Sequence, residues 1–201
     1  MTGFLDKAYK ARDTASTRAL YDDWATSYEA ELAENGYATP VRCAEALKAH
    51  VTDMASPVLD FGCGTGLSGL ALKHAGFTTI DGVDLSSEML EQARTKGAYR
   101  QLDTVDAEGT VPRDAYATMS AIGVIGAGAA PISVLHSLMR ALQSGGKLVF
   151  SLNDHALEDP ANEGAIAEWI DCAAARLVFK EHGPHLPGID LSSTVYVIEK
   201  T

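Results

Sequence analysis

Val58-Leu59-Asp60-Phe61-Gly62-Cys63-Gly64-Thr65-Gly66-Leu67 is a short apolar run with an acid near its end, followed by glycines at alternate positions. The apolar run reads as a buried strand, and residues 67–76 after it read as a helix. Glycines at this spacing let the backbone turn tightly and come close to a ligand with no side chain in the way. The first N–H groups of the following helix have no partner within the helix and face whatever is bound. About 20 residues further on, Ile80-Asp81-Gly82-Val83-Asp84 is a second strand-like run that ends in an acid. A carboxylate there lies where a ribose diol sits in a doubly wound sheet. The two segments together predict an adenosine-cofactor site.

Which cofactor depends on the frame of the glycines. Gly64-Thr65-Gly66-Leu67-Ser68-Gly69 also satisfies the dinucleotide pattern G-x-G-x-x-G. The strand stops at Phe61, however, so the turn begins at Gly62 and the frame is G-x-G-x-G. Asp60 beside the loop suits the ammonium of a methionine moiety and would repel a pyrophosphate. These features favour S-adenosyl-L-methionine as the cofactor. An NAD-type oxidoreductase using the frame from Gly64 to Gly69 stays open as the alternative, and so does a non-catalytic cofactor-binding protein.

With 201 residues the chain has the length of a single domain, large enough to bury a core. Its net charge of −11, with no basic block, argues against a nucleic-acid substrate gripped through phosphates. No apolar run reaches the ~18 residues of a membrane-spanning helix. The three cysteines lack metal-ligand spacing, and the start lacks a signal-like apolar segment; the expectation is a cytoplasmic protein with reduced thiols and no metal.

From residue 57 onward strand and helix patterns alternate. Strands are predicted at 57–61, 78–84, 98–102, 115–122 and 147–153. Helices are predicted at 67–76, from Ser86 to Gly97, at 131–142 (stopped by Ser144-Gly145-Gly146) and at 161–171. Such alternation implies a parallel sheet with helices on both faces. Residues 175–181 and 193–200 are β-rich runs with no helix between them, so they pair antiparallel, joined by a loop over 182–188. The expected fold is α/β: a Rossmann-like, doubly wound, seven-stranded sheet, mostly parallel with a C-terminal antiparallel hairpin. Residues 1–55 read as N-terminal helices that form a lid over the core at 56–201. In residues 17–33, Tyr21, Trp24 and Tyr28 recur along one helix face, which is either core or a wall over the cofactor.

The glycine loop, the second-strand acid and the terminal hairpin together resemble class I S-adenosylmethionine-dependent methyltransferases. Tyr21-Asp22-Asp23-Trp24-Ala25-Thr26-Ser27-Tyr28-Glu29, Asn35-Gly36-Tyr37-Ala38-Thr39-Pro40 and the His182-Gly183-Pro184 turn are similar to the group named for the Williams–Beuren syndrome chromosome region. The resemblance implies that Asp60 and the backbone of Gly62, Cys63 and Gly64 hold the amino-acid end of the cofactor. It implies that Asp84 accepts from both ribose hydroxyls and that Leu85 and Met89 line the adenine. Tyr99-x-x-Leu102-x-x-x-Asp106-Ala107 aligns with the third-strand segment and brings Asp106 and Ala107 to the adenine amino group, with Asp103 as the alternative to Asp106. Ile122 and Gly123 would lie beneath the sulfonium. The family commonly has an acid at the start of strand four, where this chain has Ala117.

Methyl transfer is an in-line displacement, so the protein mainly aligns the acceptor and excludes water. A base is needed only where the acceptor loses a proton. His155, His182 and His185 are the candidates, because imidazole titrates in the useful range. The Asn/Asp-Pro-Pro-Tyr signature of amino methylation is absent after strand four, which reads Ile122-Gly123-Val124-Ile125-Gly126. Trp24, Tyr28, Tyr37, Ile125 and Leu186 are the expected pocket lining, which predicts a small, partly apolar acceptor.

Overall fold

The computed structural model describes residues 28–105, 110–126 and 129–201. Trp24, Asp106 and Ala107 lie outside the described residues, as do residues 1–27 of the predicted lid; the side chain of Tyr28 is likewise outside them. Two helices, α1 (Tyr28–Glu34) and α2 (Thr39–Lys48), precede the sheet. The alternating part runs β1 (Val58–Phe61), α3 (Leu67–Ala75), β2 (Ile80–Asp84), α4 (Ser87–Thr95), β3 (Gln101–Thr104), β4 (Tyr116–Ala121), α5 (Ser133–Ala141) and β5 (Leu142–Asn153). It closes with α6 (Asp154–Leu157), α7 (Pro160–Asp171), β6 (Ala175–Leu186) and β7 (Leu191–Lys200).

The seven strands lie in the order β3-β2-β1-β4-β5-β7-β6. β7 is antiparallel to both its neighbours, and the pairs among β1 to β5 are parallel. β6 therefore runs in the same direction as β5, with the final strand slotted between them. This confirms the predicted sheet and departs from the six parallel strands of a dinucleotide-binding dehydrogenase.

Side chains leave the central strands alternately to two cores. Leu59, Phe61, Met119, Leu148 and Phe150 pack with Leu135, Leu138 and Met139 of α5 and Ile166 of α7. Val58, Ile80, Val149, Val195 and Val197 pack with Cys43 and Leu47 of α2 and Leu72 of α3. Burial on both faces explains why β1 reads as a continuous apolar run rather than an alternating one. Leu72 and Leu135 are fully buried; truncating either to alanine costs about 2–5 kcal/mol.

Boundaries shift where tertiary contacts override local signals. The third strand begins at Gln101 rather than residue 98. The expected break at Ser144-Gly145-Gly146 is instead an irregularity within β5, where the register with β4 shifts between Tyr116 and Thr118. β6 continues through His182-Gly183-Pro184-His185, read from sequence as a loop, and the turn follows it at Pro187–Ile189. Pro184 is tolerated there because β6 is an edge strand.

Candidate cofactor-binding and active site

β1 and β4 are neighbours, and the chain leaves them toward opposite edges of the sheet. Their carboxyl ends thus border the switch-point crevice where open α/β sheets bind ligands. The glycine loop fills one side of it. The N–H groups of Gly62 and Cys63 both donate to the Val83 carbonyl of β2, at 2.8 and 3.0 Å. Gly62 has φ +69°, and a Cβ built on it would stand 2.5 Å from Val124 Cγ2; it is needed for the interior. Gly64, at φ +53°, is different, because a Cβ there meets nothing within 4 Å among the described residues. Next to it, Thr65 Oγ1 is buried with no hydrogen-bond partner among the described residues, the kind of orphaned polar atom that calls for a ligand or water.

Asp60 lies beneath the loop rather than in the crevice. It is fully buried, and its oxygens accept from Ser68 Oγ (2.6 Å), Tyr99 Oη (2.8 Å) and Ser120 Oγ (2.8 Å). Burial pushes its carboxyl above the usual range, against the downward pull of these hydroxyls. This corrects the expectation of direct contact with the cofactor ammonium: Asp60 instead ties β1 to α3, β4 and Tyr99. Tyr99 also accepts the Gly69 N–H of α3 at 3.0 Å. Its ring occupies a slot that exists only because Gly69 and Gly82 lack side chains; a Cβ would stand 2.2 and 2.9 Å from the ring. The sequence used Tyr99 only as an alignment anchor. The signal for its role is there, in a glycine within a helix and another within a strand, both of which mark close approach.

Asp84 is at the rim, half-buried, at the end of β2. Its Oδ2 accepts from the Gly64 N–H at 2.8 Å and its Oδ1 from the Ser86 N–H at 2.9 Å. The predicted pair, loop and second-strand acid, is therefore brought together directly. Leu85 follows, half-buried at the same rim. Met89 does not line the crevice: it is 1% exposed, within α4, where its N–H is capped by Ser86 Oγ at 3.1 Å. The side chains of Ile122 and Cys63 are likewise interior. Burial raises the Cys63 thiol well above its ordinary range, so it stays protonated and is no nucleophile. Asp103 is exposed on the edge strand β3.

On the other side of the crevice the chain after β4 meets the N-terminal helices. Gly123 donates to Ser151 Oγ at 2.9 Å, and a Cβ on it would lie 2.5 Å from the Tyr37 hydroxyl. Tyr37 meets the His185 ring edge-on at 5.2 Å, and Tyr37 and Leu67 pack against the cluster of Leu32, Leu186 and Leu191. The three candidate histidines separate clearly. His155 is exposed and faces Glu158 at 3.6 Å. His182 is exposed and pairs through Nε2 with Asp154 at 2.9 Å. His185 is 7% exposed, with Nδ1 2.7 Å from Thr39 Oγ1. Burial lowers its imidazole to about 4, so it is neutral at neutral pH. Ile125 is buried nearby. Among the described residues no cluster of three or more His, Cys, Asp or Glu could hold a metal, and no helix is long and apolar enough to cross a membrane.

Known structures share this architecture at low sequence identity. The [4+2]-cyclase SpnF superposes with a TM-score of 0.59 at 17% identity, covering 80% of this chain and 81% of that one. A SAM-dependent methyltransferase from Geobacter sulfurreducens, solved with S-adenosyl-L-homocysteine, gives 0.59 at 14% identity, covering 80% and 91%. Human methyltransferase-like protein 27 is 35% identical over 97 residues, which span 47% of this chain and 40% of that protein. The methyltransferase domain family matches residues 31–195. The chain belongs to the methyltransferase domain family.

Proposed function

We propose that the chain is an S-adenosyl-L-methionine-dependent methyltransferase acting on a small, partly apolar acceptor. One observation carries this reading: Gly64, with no described residue within 4 Å of where a Cβ would stand, hydrogen-bonded to Asp84 at the switch point. The residues present fit that cofactor. The open cradle at Gly64 admits a chain with no Cβ in the way, and Asp84 can accept from a diol. The orphaned Thr65 hydroxyl lies in the same loop. Bound S-adenosyl-L-methionine supplies an electrophilic methyl carbon. Gly64 and Asp84 hold the cofactor, Tyr37 and His185 close the acceptor side, and the crevice excludes water.

Family membership and the strand order both favour this over an NAD-type oxidoreductase. The fold alone is shared with a [4+2]-cyclase, so methyl transfer rests on the site rather than the scaffold. The net charge of −11 favours a small acceptor over a nucleic acid, and the interior placement of Cys43 and Cys63 fits a cytoplasmic setting. Within the family we place the chain with the Williams–Beuren group. Two of the segments behind that placement, 35–40 and 182–184, lie close together: the Ala38 N–H donates to the His185 carbonyl at 3.0 Å, and Arg42 donates to the Pro184 carbonyl at 3.0 Å.

Calorimetric titration with S-adenosylhomocysteine and with NAD(H), then methyl transfer across a broad acceptor panel, tests the proposal. Micromolar S-adenosylhomocysteine binding and turnover are expected. Preference for NAD(H) would overturn the cofactor assignment, and tight binding without turnover would move the chain to a non-catalytic role.

A further inference from the structure

β6 runs parallel to β1, β4 and β5, so its end emerges at the same edge of the sheet as the glycine loop. His185 stands at that end, its ring against Tyr37, whose hydroxyl lies over Gly123. The next residue, Leu186, forms a small cluster with Leu32 and Leu191, against which Leu67, the first residue of α3, packs. His185 thus stands, through Tyr37, on the Gly123 side of the crevice.

A chain of hydrogen bonds behind His185 decides which ring nitrogen carries its proton. Arg42 Nη1, a donor only, bonds Ser193 Oγ at 3.1 Å. Ser193 Oγ is 3.0 Å from Thr39 Oγ1, which is 2.7 Å from His185 Nδ1. Ser193 and Thr39 are both fully buried, so each hydroxyl proton needs an acceptor within the protein. Ser193 already accepts from Arg42 and gives its own proton to Thr39; Thr39 gives its proton to His185. The reverse direction leaves the Ser193 proton with no acceptor among the described residues. Nδ1 is then the accepting nitrogen, and the neutral ring carries hydrogen on Nε2. Among the described residues Nε2 has no hydrogen-bond partner, although the residue as a whole is more than nine-tenths buried.

We infer that His185 binds the methyl acceptor through its Nε2–H, so the acceptor carries a carbonyl or carboxylate oxygen beside the atom to be methylated. The inference rests on the methyltransferase reading and deepens it. It takes His185 out of the role of base: with Nδ1 committed to Thr39 and Nε2 protonated, the ring has no lone pair to receive a proton. Its work is to orient the acceptor. An acceptor offering only a cationic amine at this position would leave the Nε2–H buried against another donor, and such pairs are strongly selected against.

The test is nitrogen-15 NMR of the histidine-labelled full chain, with and without S-adenosylhomocysteine. The His185 signals should show hydrogen on Nε2 in the parent and lose that fixed tautomer in Thr39→Val; hydrogen on Nδ1 in the parent overturns the inference. Benzoate, benzamide and benzylamine are then titrated into protein saturated with S-adenosylhomocysteine. Benzoate or benzamide should shift the Nε2 signal and benzylamine should not, the first two distinguishing a charged from a neutral oxygen. Benzoate and benzamide should bind His185→Leu at least about tenfold more weakly than the parent, and His185→Gln, which keeps a side-chain N–H, within about threefold. No shift with either oxygen probe, or a shift with benzylamine alone, overturns the inference. Failure of S-adenosylhomocysteine to bind would overturn the cofactor assignment instead, and the tautomer measurement would still stand on its own.

Discussion

The two walls of the crevice are held together by opposite chemistry. On the cofactor wall two carboxylates gather donors: Asp60 takes three hydroxyls, and Asp84 takes two backbone N–H groups. On the acceptor wall a cation distributes protons: Arg42 reaches the Glu181, Pro184 and Ser193 carbonyls and starts the hydroxyl relay to His185. The cofactor wall is also local, its bonds to Asp60 and Asp84 joining residues 8, 20, 39 and 60 apart. The acceptor wall joins residues 139 to 154 apart, bringing α2 against the terminal strands. A site for an invariant cofactor can be a compact motif, whereas the partner-specific wall is made by the ends of the domain closing on one another. Substitutions should therefore separate cleanly into those that affect S-adenosylhomocysteine and those that do not.

The largest effect is expected within the loop itself. Gly64→Val places a branched side chain in the open cradle and should abolish S-adenosylhomocysteine binding by calorimetry. The protein should stay folded, with only the strain of a left-handed residue, about 1–2 kcal/mol. Gly62→Val should instead fail to fold, since its Cβ would collide with Val124. If the two variants behave alike, the loop does not have one inner and one outer glycine.

Asp84→Ala comes next. Hydrogen bonds to a charged acceptor are worth about 1.5–3 kcal/mol, so affinity for S-adenosylhomocysteine should fall about 10- to 100-fold. Asp81, three residues earlier, is not an inert control as its strand position alone would imply. It is buried and accepts from Arg100 Nε at 2.8 Å and Tyr116 Oη at 2.9 Å. Asp81→Ala should lower stability by about 1–3 kcal/mol in denaturant melts, the Arg100 side chain being exposed enough to return to water. Its affinity for S-adenosylhomocysteine should hold. Loss of binding in Asp81→Ala and retention in Asp84→Ala would reverse the register of β2 relative to the loop.

The same division explains what could be read from the sequence. The strand–helix alternation, the terminal hairpin, the glycine loop and the acid at the end of β2 were legible because their signals are local and repeat a period or a turn chemistry. Asp60 was found, but its role was misassigned. A single carboxylate beside a loop looks like a ligand contact until the three hydroxyls that bury it are brought in from α3, β4 and Tyr99. The strand through His182–Leu186 was hidden by Gly183 and Pro184, which local propensity places in a loop and which only an edge position accommodates. No local signal separates His185 from His155 and His182. The separation comes from Thr39, a pairing 146 residues long.

The acceptor wall can be probed by pH. Burial lowers His185 from its ordinary 6.5 to about 4, while in the unfolded chain it protonates near 6.5. Between those values the unfolded state holds the extra proton, so this residue's contribution to stability is complete above pH 6.5 and is lost as pH falls toward 4. The difference corresponds to about 3 kcal/mol. Urea melts at pH 7, 5.5 and 4 should show the parent losing more stability than His185→Gln over that window, whereas S-adenosylhomocysteine affinity at pH 7 should match. Parallel pH profiles for the two proteins would place His185 in contact with solvent rather than inside the wall.

The smallest effect, and the one that most sharpens the contrast, is Tyr99→Phe. The ring and its slot between Gly69 and Gly82 are kept, and only the hydroxyl is lost. Asp60 then has two hydroxyl donors instead of three, and the Gly69 N–H in the first turn of α3 loses its acceptor. That N–H has no partner within the helix, because the first amides of any helix lack one. Stability should fall by about 1 kcal/mol, as for one net hydrogen bond. If the network also sets the angle at which α3 leaves the loop, and thereby the aim of the loop backbone at the cofactor, S-adenosylhomocysteine should weaken about 3- to 10-fold. Ser68→Ala, which removes another donor to the same carboxylate oxygen, should reproduce both changes. The discriminating measurement is calorimetry well below the melting transition, where lost stability alone leaves affinity untouched. Equal affinity in both variants would confine Asp60 and Tyr99 to holding the domain together. A matched loss would make this buried cluster the device that aims the loop, a function the acceptor wall, with its far longer chain closure, does not share.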